Sequence, residues 1–315
     1  MNPQIKEFIK LKLESTSNNT AIARQVIKEF DLSEEYTLDA MRFKVGRIRK
    51  RLENKGSKRE LKRLFADIET SFVYAPVWRA GEQYISPMNI KGEVKIICIS
   101  YKWQYENEVH TLTWDENQDD KQLLKKFIKI LGQADEICGH NFDRFDLRQI
   151  RSRAIQQGVL MYPKYRTLDT LKKARKYFSF MSNKLDYLGR VLEVGRKLDH
   201  EGLGLWKRVQ EGESKELRAE ALKQMVAYCE QDVILLEDVF NVIMPYIDHN
   251  TNHAVLKYGL TGKWRCPECA SSNVKLSHTD TTPMGYIKRF MRCECKKTYN
   301  ISNRTYQQYI TKQDN

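Results

Sequence analysis

Three short acidic motifs follow one another along this 315-residue chain, and their side chains are of the type that holds divalent metal ions. Asp67 and Glu69 close an apolar run, Asp146 ends the sequence Asn-Phe-Asp-Arg-Phe-Asp, and Asp232 follows Tyr228 by four residues. Residues two apart on a strand, or four apart on a helix, point the same way. Each motif can therefore direct its side chains at one place.

Carboxylates that converge in one pocket repel one another unless cations neutralise them. Ligation by oxygen alone suits Mg²⁺ or Mn²⁺. Two such ions can activate a water on one side of a phosphodiester and stabilise the leaving oxygen on the other. We therefore expect two catalytic Mg²⁺ or Mn²⁺ ions; the alternative is that the acids are solvated surface charge.

Four of the seven cysteines cluster near the C-terminus, with spacings typical of a metal site. They are Cys266, Cys269, Cys293 and Cys295. Four thiolates suffice for one tetrahedral, structural Zn²⁺. The second pair is C-x-C where C-x-x-C is usual, which leaves His278 as a possible substitute ligand. We expect Cys98, Cys138 and Cys229 to be buried free thiols.

The elements that must position the acidic motifs alternate between strands and helices. The apolar patterns predict strands at 64–70, 94–103, 109–114 and 136–139, and helices at 121–131 and 145–157. The sequence from there to residue 247 is predominantly helical. Three meandering strands followed by strand and helix alternation predict an α/β fold whose sheet is antiparallel on one side and parallel on the other.

The flanks of the chain are basic, whereas its centre is nearly neutral. Residues 1–60 carry a net charge of +5, residues 61–250 carry +1, and residues 251–315 carry +7. Excess charge confined to the flanks favours binding of a polyanion there. With 30% charged residues and a mean hydropathy of −0.63, we expect no membrane partner, and we expect a cytoplasmic protein.

Three helices are predicted in the first sixty residues, and the third is basic. Such an arrangement suggests a small all-α helix-turn-helix domain whose last helix contacts nucleic acid. The alternative is a helical module whose basic face is merely solvated. The candidate nucleic-acid contacts are Arg42, Arg47, Arg49, Lys50 and Arg51 here, and Lys288, Arg289 and Arg292 beside the C-terminal cysteines.

The three motifs, taken together and in this order, resemble the DEDDy-type (DnaQ-like) 3′-5′ exonucleases, as in family B DNA polymerases and their stand-alone relatives. The family pattern is D-x-E, N-x-x-x-F-D and Y-x-x-x-D, and it selects Asp146 over Asp143. The resemblance covers about residues 61–248 and implies a ribonuclease H-like mixed sheet with flanking helices. The cysteine segment resembles a zinc ribbon.

The resemblance also implies a role for each catalytic residue. Asp67 would bridge both metals, Glu69 and Asp232 would complete the site of the ion that binds the attacking water, and Asp146 would hold the second ion. Tyr228 would orient the nucleophile with a hydroxyl that stays neutral at pH 7. By the same resemblance, the segment 167–170 belongs to the intervening helices.

We therefore predict three modules: a helix-turn-helix at 1–57, an exonuclease domain at 61–248 and a zinc ribbon at 258–310. The predicted activity is hydrolysis of DNA from 3′ ends, with release of nucleoside monophosphates. The alternatives are an exoribonuclease of the same fold and a DNA-binding regulator or replication accessory with a scaffold core. The compact fusion suggests a phage protein, which would act in the bacterial host cytoplasm.

The long segment 71–92 follows the first motif directly and departs from the family pattern. It contains four aromatic residues that can stack on bases or pack against a neighbouring helix: Phe72, Tyr74, Trp78 and Tyr84.

Overall fold

A computed structural model describes residues 2–16, 18–53, 59–199 and 201–311, without the side chains of residues 14 and 50–53. The chain divides into two compact units. One consists of Leu61–Thr251, and the other combines Met1–Glu60 with Asn252–Asn315. The sequence Gly56-Ser57-Lys58 suggests a short linker, and it lies outside the described residues. The division into three modules stays a prediction.

The N-terminal segment contains three helices, as the apolar spacing predicts. They are α1 (Pro3–Ser15), α2 (Asn19–Glu29) and α3 (Leu38–Glu53). Asn18 caps α2 by accepting hydrogen bonds from two backbone amides at its start. Ile9, Ile22 and Val45 are fully buried in a core shared by the three helices.

The second unit is built on a five-stranded sheet. Its strands are β1 (Arg63–Thr70), β2 (Ile96–Trp103), β3 (His110–Thr113), β4 (Glu136–Gly139) and β5 (Thr167–Asp169). Their order is β3-β2-β1-β4-β5. β1 pairs antiparallel with β2, and β2 with β3, whereas β4 runs parallel to both β1 and β5. The predicted mixed sheet is confirmed.

Among the described residues of this unit, six α-helices accompany the sheet and cover both of its faces. They are α4 (Lys121–Leu131), α5 (Asp146–Gln156), α6 (Thr170–Tyr177), α7 (Leu185–Val191), α8 (Leu203–Glu211) and α9 (Lys215–Ile243). Successive residues of β1 face opposite cores. Leu64 packs with Phe127 of α4, and Phe65 packs with Phe240 of α9.

One sequence expectation is wrong in this unit. Residues 167–170 were expected in the helical part, but Thr167–Asp169 forms the edge strand β5, and Leu168 pairs with Cys138 of β4. A three-residue strand is too short to show the alternation that identifies a strand in a sequence. Its Asp169 is at the same time the N-cap of α6.

The C-terminal segment has α10 (His253–Tyr258), β6 (Val274–Thr281), β7 (Ile287–Cys293), β8 (Thr298–Ser302) and α11 (Asn303–Ile310). The strands form an antiparallel sheet in the order β6-β7-β8. The resemblance to a zinc ribbon implies strands at 274–276 and 286–292, and these correspond to β6 and β7. β8 and α11 were not predicted, although Tyr299 and Ile301 alternate with polar residues and are buried.

In the unit that combines residues 1–60 with residues 252–315, the two segments contact each other at Glu60. The Glu60 carboxylate lies 2.6 Å from Nε2 of His253 and also contacts the Lys257 ammonium. Among the helices that the structure describes, none is both long enough and apolar enough to cross a lipid bilayer.

Candidate active site

Asp67 and Glu69 lie on β1, the central strand of the sheet. β1 pairs with β4 only as far as Phe65, while its pairing with β2 continues and shifts register after Glu69. The two acidic residues therefore lie beyond the point where the parallel pairing ends. Both are half-buried.

Asp146 reaches the same place from the start of α5. The turn between β4 and α5 is held by Asp169, whose carboxylate accepts hydrogen bonds from the backbone amides of Asn141 and Asp143. Asn141 has a left-handed φ of 65°, a conformation that asparagine tolerates better than most residues. Asp146 is buried and accepts a hydrogen bond from the backbone N–H of Ile68 on β1.

The carboxylate of Asp143 pairs with α6 rather than with the acidic residues of β1, and it lies 2.7 Å from the ammonium of Lys172. The structure therefore brings Asp146, and not Asp143, to the acidic residues of β1.

The long helix α9 carries Tyr228 and Asp232, one turn apart and both buried. It packs against β1 and β2, and between them Cys229 Sγ lies 3.9 Å from Asp67 Oδ2. The ring of Tyr228 makes an edge contact with Trp206 of α8, with centroids 6.2 Å apart. The five residues predicted to be catalytic thus come from three elements and meet in one site.

These carboxylates lie close enough together to raise one another's pKa. Burial, followed by the charge of Asp232, raises the pKa of Asp67 to about 7. Burial and then the charge of Asp67 also raise the pKa of Glu69 and of Asp146. Burial and the charge of Asp232 raise the pKa of Tyr228 to about 12, so its hydroxyl is neutral at pH 7.

Lys197 is a site residue that the sequence did not indicate. Its ammonium lies 2.5 Å from Asp232 Oδ2 and 3.1 Å from the Tyr228 hydroxyl. Burial alone would lower the pKa of Lys197, but the Asp232 carboxylate outweighs it and raises that pKa. Lys197 follows α7 in an irregular segment, and no spacing relates it to the acidic motifs.

The donor set at this site fits hard divalent cations. The carboxylates of Asp67 and Glu69 and the thiol of Cys229 offer ligand atoms within 4.8 Å of one another. Asp146 and Asp232 add their charges to the same pocket. Carboxylates that raise one another's pKa repel each other when ionised, and Mg²⁺ or Mn²⁺ would neutralise this repulsion because these ions prefer oxygen ligands.

The four C-terminal cysteines form a second candidate metal site. Their sulfur atoms all lie within 4.8 Å of one another, with Cys266 to Cys295 at 3.6 Å and Cys269 to Cys293 at 3.5 Å. Thiolates around a tetrahedral Zn²⁺ are about 3.8 Å apart, given Zn–S bonds of about 2.3 Å. The donor set therefore fits zinc.

His278 is outside this group. Its imidazole is stacked on the ring of Phe290, with centroids 4.2 Å apart and planes inclined by 8°. The short C-x-C spacing is accommodated by a turn in which Lys296 has a φ of 71° and donates its backbone N–H to the carbonyl of Cys293.

The predicted nucleic-acid contacts of α3 have different surroundings. Arg42 and Arg47 are exposed, and Arg42 lies 3.3 Å from Asp39. Arg49 instead ties α3 to the start of α2 and to the preceding connection, by donating to Asn19 Oδ1 and to the carbonyl of Thr16. The side chains of Lys50 and Arg51 lie outside the described residues. The connection between α2 and α3 spans residues 30–37, longer than the usual three- to four-residue turn of a helix-turn-helix.

The basic residues of β7 also differ in their surroundings. Lys288 and Arg292 are exposed, whereas Arg289 is half-buried and donates hydrogen bonds to Asn303 and Thr279. Its guanidinium also lies over the Tyr306 ring at 4.8 Å.

The aromatic residues after β1 are of two kinds. Phe72 and Tyr74 pack edge to face with centroids 5.2 Å apart, and the Phe72 backbone is hydrogen-bonded to Gln210 of α8. Trp78 and Tyr84 are almost completely exposed.

Comparison with known proteins identifies the fold. The model of the RNase_H superfamily named RNase_H_2 matches residues 89–244, a range that contains Asp146, Tyr228 and Asp232 but begins after Asp67 and Glu69. A search of curated proteins finds no match to the chain.

Among solved structures, the chain is similar to a family B DNA polymerase from the hyperthermophilic archaeon Pyrobaculum calidifontis. The two share 14% identity with a TM-score of 0.44, over 73% of this chain and 32% of the polymerase. The central sheet with its helices is a ribonuclease H-like fold, which is typical of nucleases.

Proposed function

We propose that this protein is a metal-dependent 3′-5′ exonuclease that hydrolyses DNA from 3′ ends and releases nucleoside monophosphates. The observation that carries the proposal is the convergence of four carboxylates and one tyrosine from β1, α5 and α9 in a single site. The basic flanks, as a helix-turn-helix and a zinc ribbon, would retain the nucleic acid.

Asp67, Glu69, Asp146 and Asp232 would hold two Mg²⁺ or Mn²⁺ ions, which when bound supply an activated water and charge stabilisation at the leaving oxygen. Tyr228 would orient the attacking water, because its hydroxyl keeps its proton at neutral pH and can donate or accept a hydrogen bond. Glu69 lies on β1 beyond the residues that pair with β4. It would contact the terminal 3′-hydroxyl. Such a contact would restrict attack to strand ends.

The first test compares the wild-type protein with Asp67→Asn on DNA labelled at the 3′ or the 5′ end. Mg²⁺ or Mn²⁺ should be required, and the 3′ label should appear as mononucleotide at early times. We expect the substitution to lower the rate by more than about 100-fold, since even residues that only orient metal ligands contribute 10- to 100-fold.

Asp143→Asn is the matched control, because Asp143 belongs to the same acidic motif as Asp146 but pairs with Lys172. Its rate should stay within a few-fold of the wild type. Equal losses in Asp67→Asn and Asp143→Asn, or a 5′ label released first, would contradict the proposal.

Matching RNA strands in the same assay determine which sugar the site accepts. Faster hydrolysis of RNA would assign the chain to the exoribonucleases instead. Binding of nucleic acid without cleavage, equal in the wild type and Asp67→Asn, would favour a regulator whose core is a scaffold.

A further inference from the structure

The three-stranded sheet β6-β7-β8 has one face in the core and one face in solvent. Met291, Tyr299 and the cysteine Cys293 lie on the core side. The strand register places the alternate residues together on the other side, which we call the outer face. The outer face consists of Lys275, Arg292 and Thr298 in one row, His278, Phe290 and Asn300 in the next, and Asp280, Lys288 and Ser302 in the third.

The middle of the outer face is aromatic. Phe290 is half-buried and His278 is exposed. The two rings are nearly parallel at a centroid distance of 4.2 Å. One face of the imidazole lies on Phe290, and the exposure of His278 leaves π surface on which another planar group can stack.

Cations lie on both sides of this ring pair. Lys275 and Arg292 are paired across the strands on one side, and Lys288 is paired with Asp280 on the other. All four are exposed. The outer face therefore carries three cations and one acid, in a segment whose net charge is +7. Its charge is complementary to a polyanion.

The combination of an exposed sheet face, a central ring pair and surrounding cations fits a nucleic acid with unpaired bases. Stacking on an aromatic ring requires a free base face, which a duplex does not offer within its stack. The cations can meet the phosphates on either side of a stacked base. The positive charge of the outer face favours a polyanion over a neutral or basic protein partner.

We propose that the outer face binds single-stranded DNA, with a base stacked on the His278–Phe290 pair and phosphates contacted by Lys275, Lys288 and Arg292. The inference deepens the proposed function, because it names the form of the substrate that the C-terminal segment retains. Arg289 is not part of the proposed binding surface, because its side chain lies on the core side of the sheet. There it donates a hydrogen bond to Asn303 and lies over the ring of Tyr306.

The test measures binding without cleavage. Full-length protein carrying Asp67→Asn is titrated, without added Mg²⁺ or Mn²⁺, into a fluorescein-labelled oligodeoxythymidylate, and anisotropy gives the affinity. His278→Ala and Phe290→Leu should each weaken binding about tenfold, the loss expected for one stacked base. Thermal unfolding of each variant verifies that the fold is retained.

Arg292→Ala tests the phosphate contacts. It should weaken binding and lower the slope of log affinity against log salt by about 0.7, the value for one phosphate of a single strand. Arg304→Ala is the matched control, because Arg304 is an exposed arginine on α11, the helix whose Tyr309 packs in the core on the opposite side of the sheet. It should leave affinity unchanged.

The proposal fails if His278→Ala and Phe290→Leu bind the oligodeoxythymidylate as tightly as the Asp67→Asn parent does. A protein would then be the better candidate partner for the outer face. The proposal also fails if Arg304→Ala weakens binding as much as Arg292→Ala, if the ring substitutions weaken duplex binding equally, or if oligouridylate binds more tightly than oligodeoxythymidylate. Because the parent is already inactive, these results can be interpreted even if the wild-type protein proves not to cleave DNA.

Discussion

Buried carboxylates in this protein have opposite properties according to their partners. Burial raises the pKa of Asp67 and Glu69, and neighbouring acids raise it further. Asp120 is fully buried, but Arg153 binds both of its carboxylate oxygens, at 2.7 and 2.8 Å. These bonds, with others from the Ile96 amide and Gln157, outweigh burial and lower the pKa of Asp120. An acid with such a partner stabilises the fold, whereas acids that repel one another are suited to binding metal.

This contrast predicts the acid sensitivity of the core. Because the pKa of Asp120 is lowered from its ordinary 3.8, its stabilisation is complete above about pH 4 and is lost as the pH falls further. Asp120→Asn should lower the free energy of unfolding at pH 7 by about 3 kcal/mol, since it leaves a buried guanidinium without its anion. It should also flatten the dependence of stability on pH below 4.

Urea unfolding from pH 3 to pH 7 measures both effects. Glu116→Gln is the control, because the Glu116–Lys215 pair is exposed and contributes little. A similar loss in the two variants would refute the assignment to the Asp120–Arg153 pair.

At the scale of elements, the sequence predicted those whose hydrophobic pattern is long enough to read. α4 and β4 have the predicted bounds, because each is an apolar pattern that ends at a glycine or a polar turn. β5 was missed because three residues are too few to show the alternation of apolar and polar side chains that identifies a strand. Lys197 was missed because its position depends on how the segment after α7 packs against α9, and such tertiary contacts leave no spacing in the sequence.

The junction between β4 and α5 depends on one glycine. A Cβ on Gly139 would lie 2.6 Å from side-chain atoms of Phe142, which is fully buried. Gly139→Ala should therefore push the turn away from β4 and displace Asp146 at the start of α5. We expect a loss of about 1–3 kcal/mol in stability, as for other overpacked cores, together with slower cleavage.

Thermal unfolding and the rate of mononucleotide release measure these two losses. Gly132→Ala is the matched control, since a Cβ there has no neighbour nearer than 3.4 Å. Gly139→Ala with wild-type stability and activity would show that the turn tolerates the displacement.

At the scale of the whole molecule, charge and chemistry are separated along the chain. The acidic site lies in the nearly neutral stretch, while the flanks hold almost all of the net charge of +13. If the flanks retain nucleic acid as proposed, that retention depends on released counterions, whereas the proposed hydrolysis in the acidic site does not. Salt should therefore act on the two steps differently.

Raising the salt concentration from 50 to 200 mM should weaken binding of single-stranded DNA by at least about tenfold. The rate of hydrolysis at saturating DNA should change less than about twofold. Titrations and single-turnover rates at each salt concentration measure the two quantities. Rates at saturation that fall as steeply as affinity would place the salt-sensitive contacts at the reacting phosphate.

The unit that combines residues 1–60 with residues 252–315 imposes an order on folding during translation. The second unit, Leu61–Thr251, leaves the ribosome before His253 and Lys257, the residues that contact Glu60. Domains generally fold as soon as their residues emerge. The nascent chain can therefore form its acidic site before residues 252–315 are available to complete the other unit.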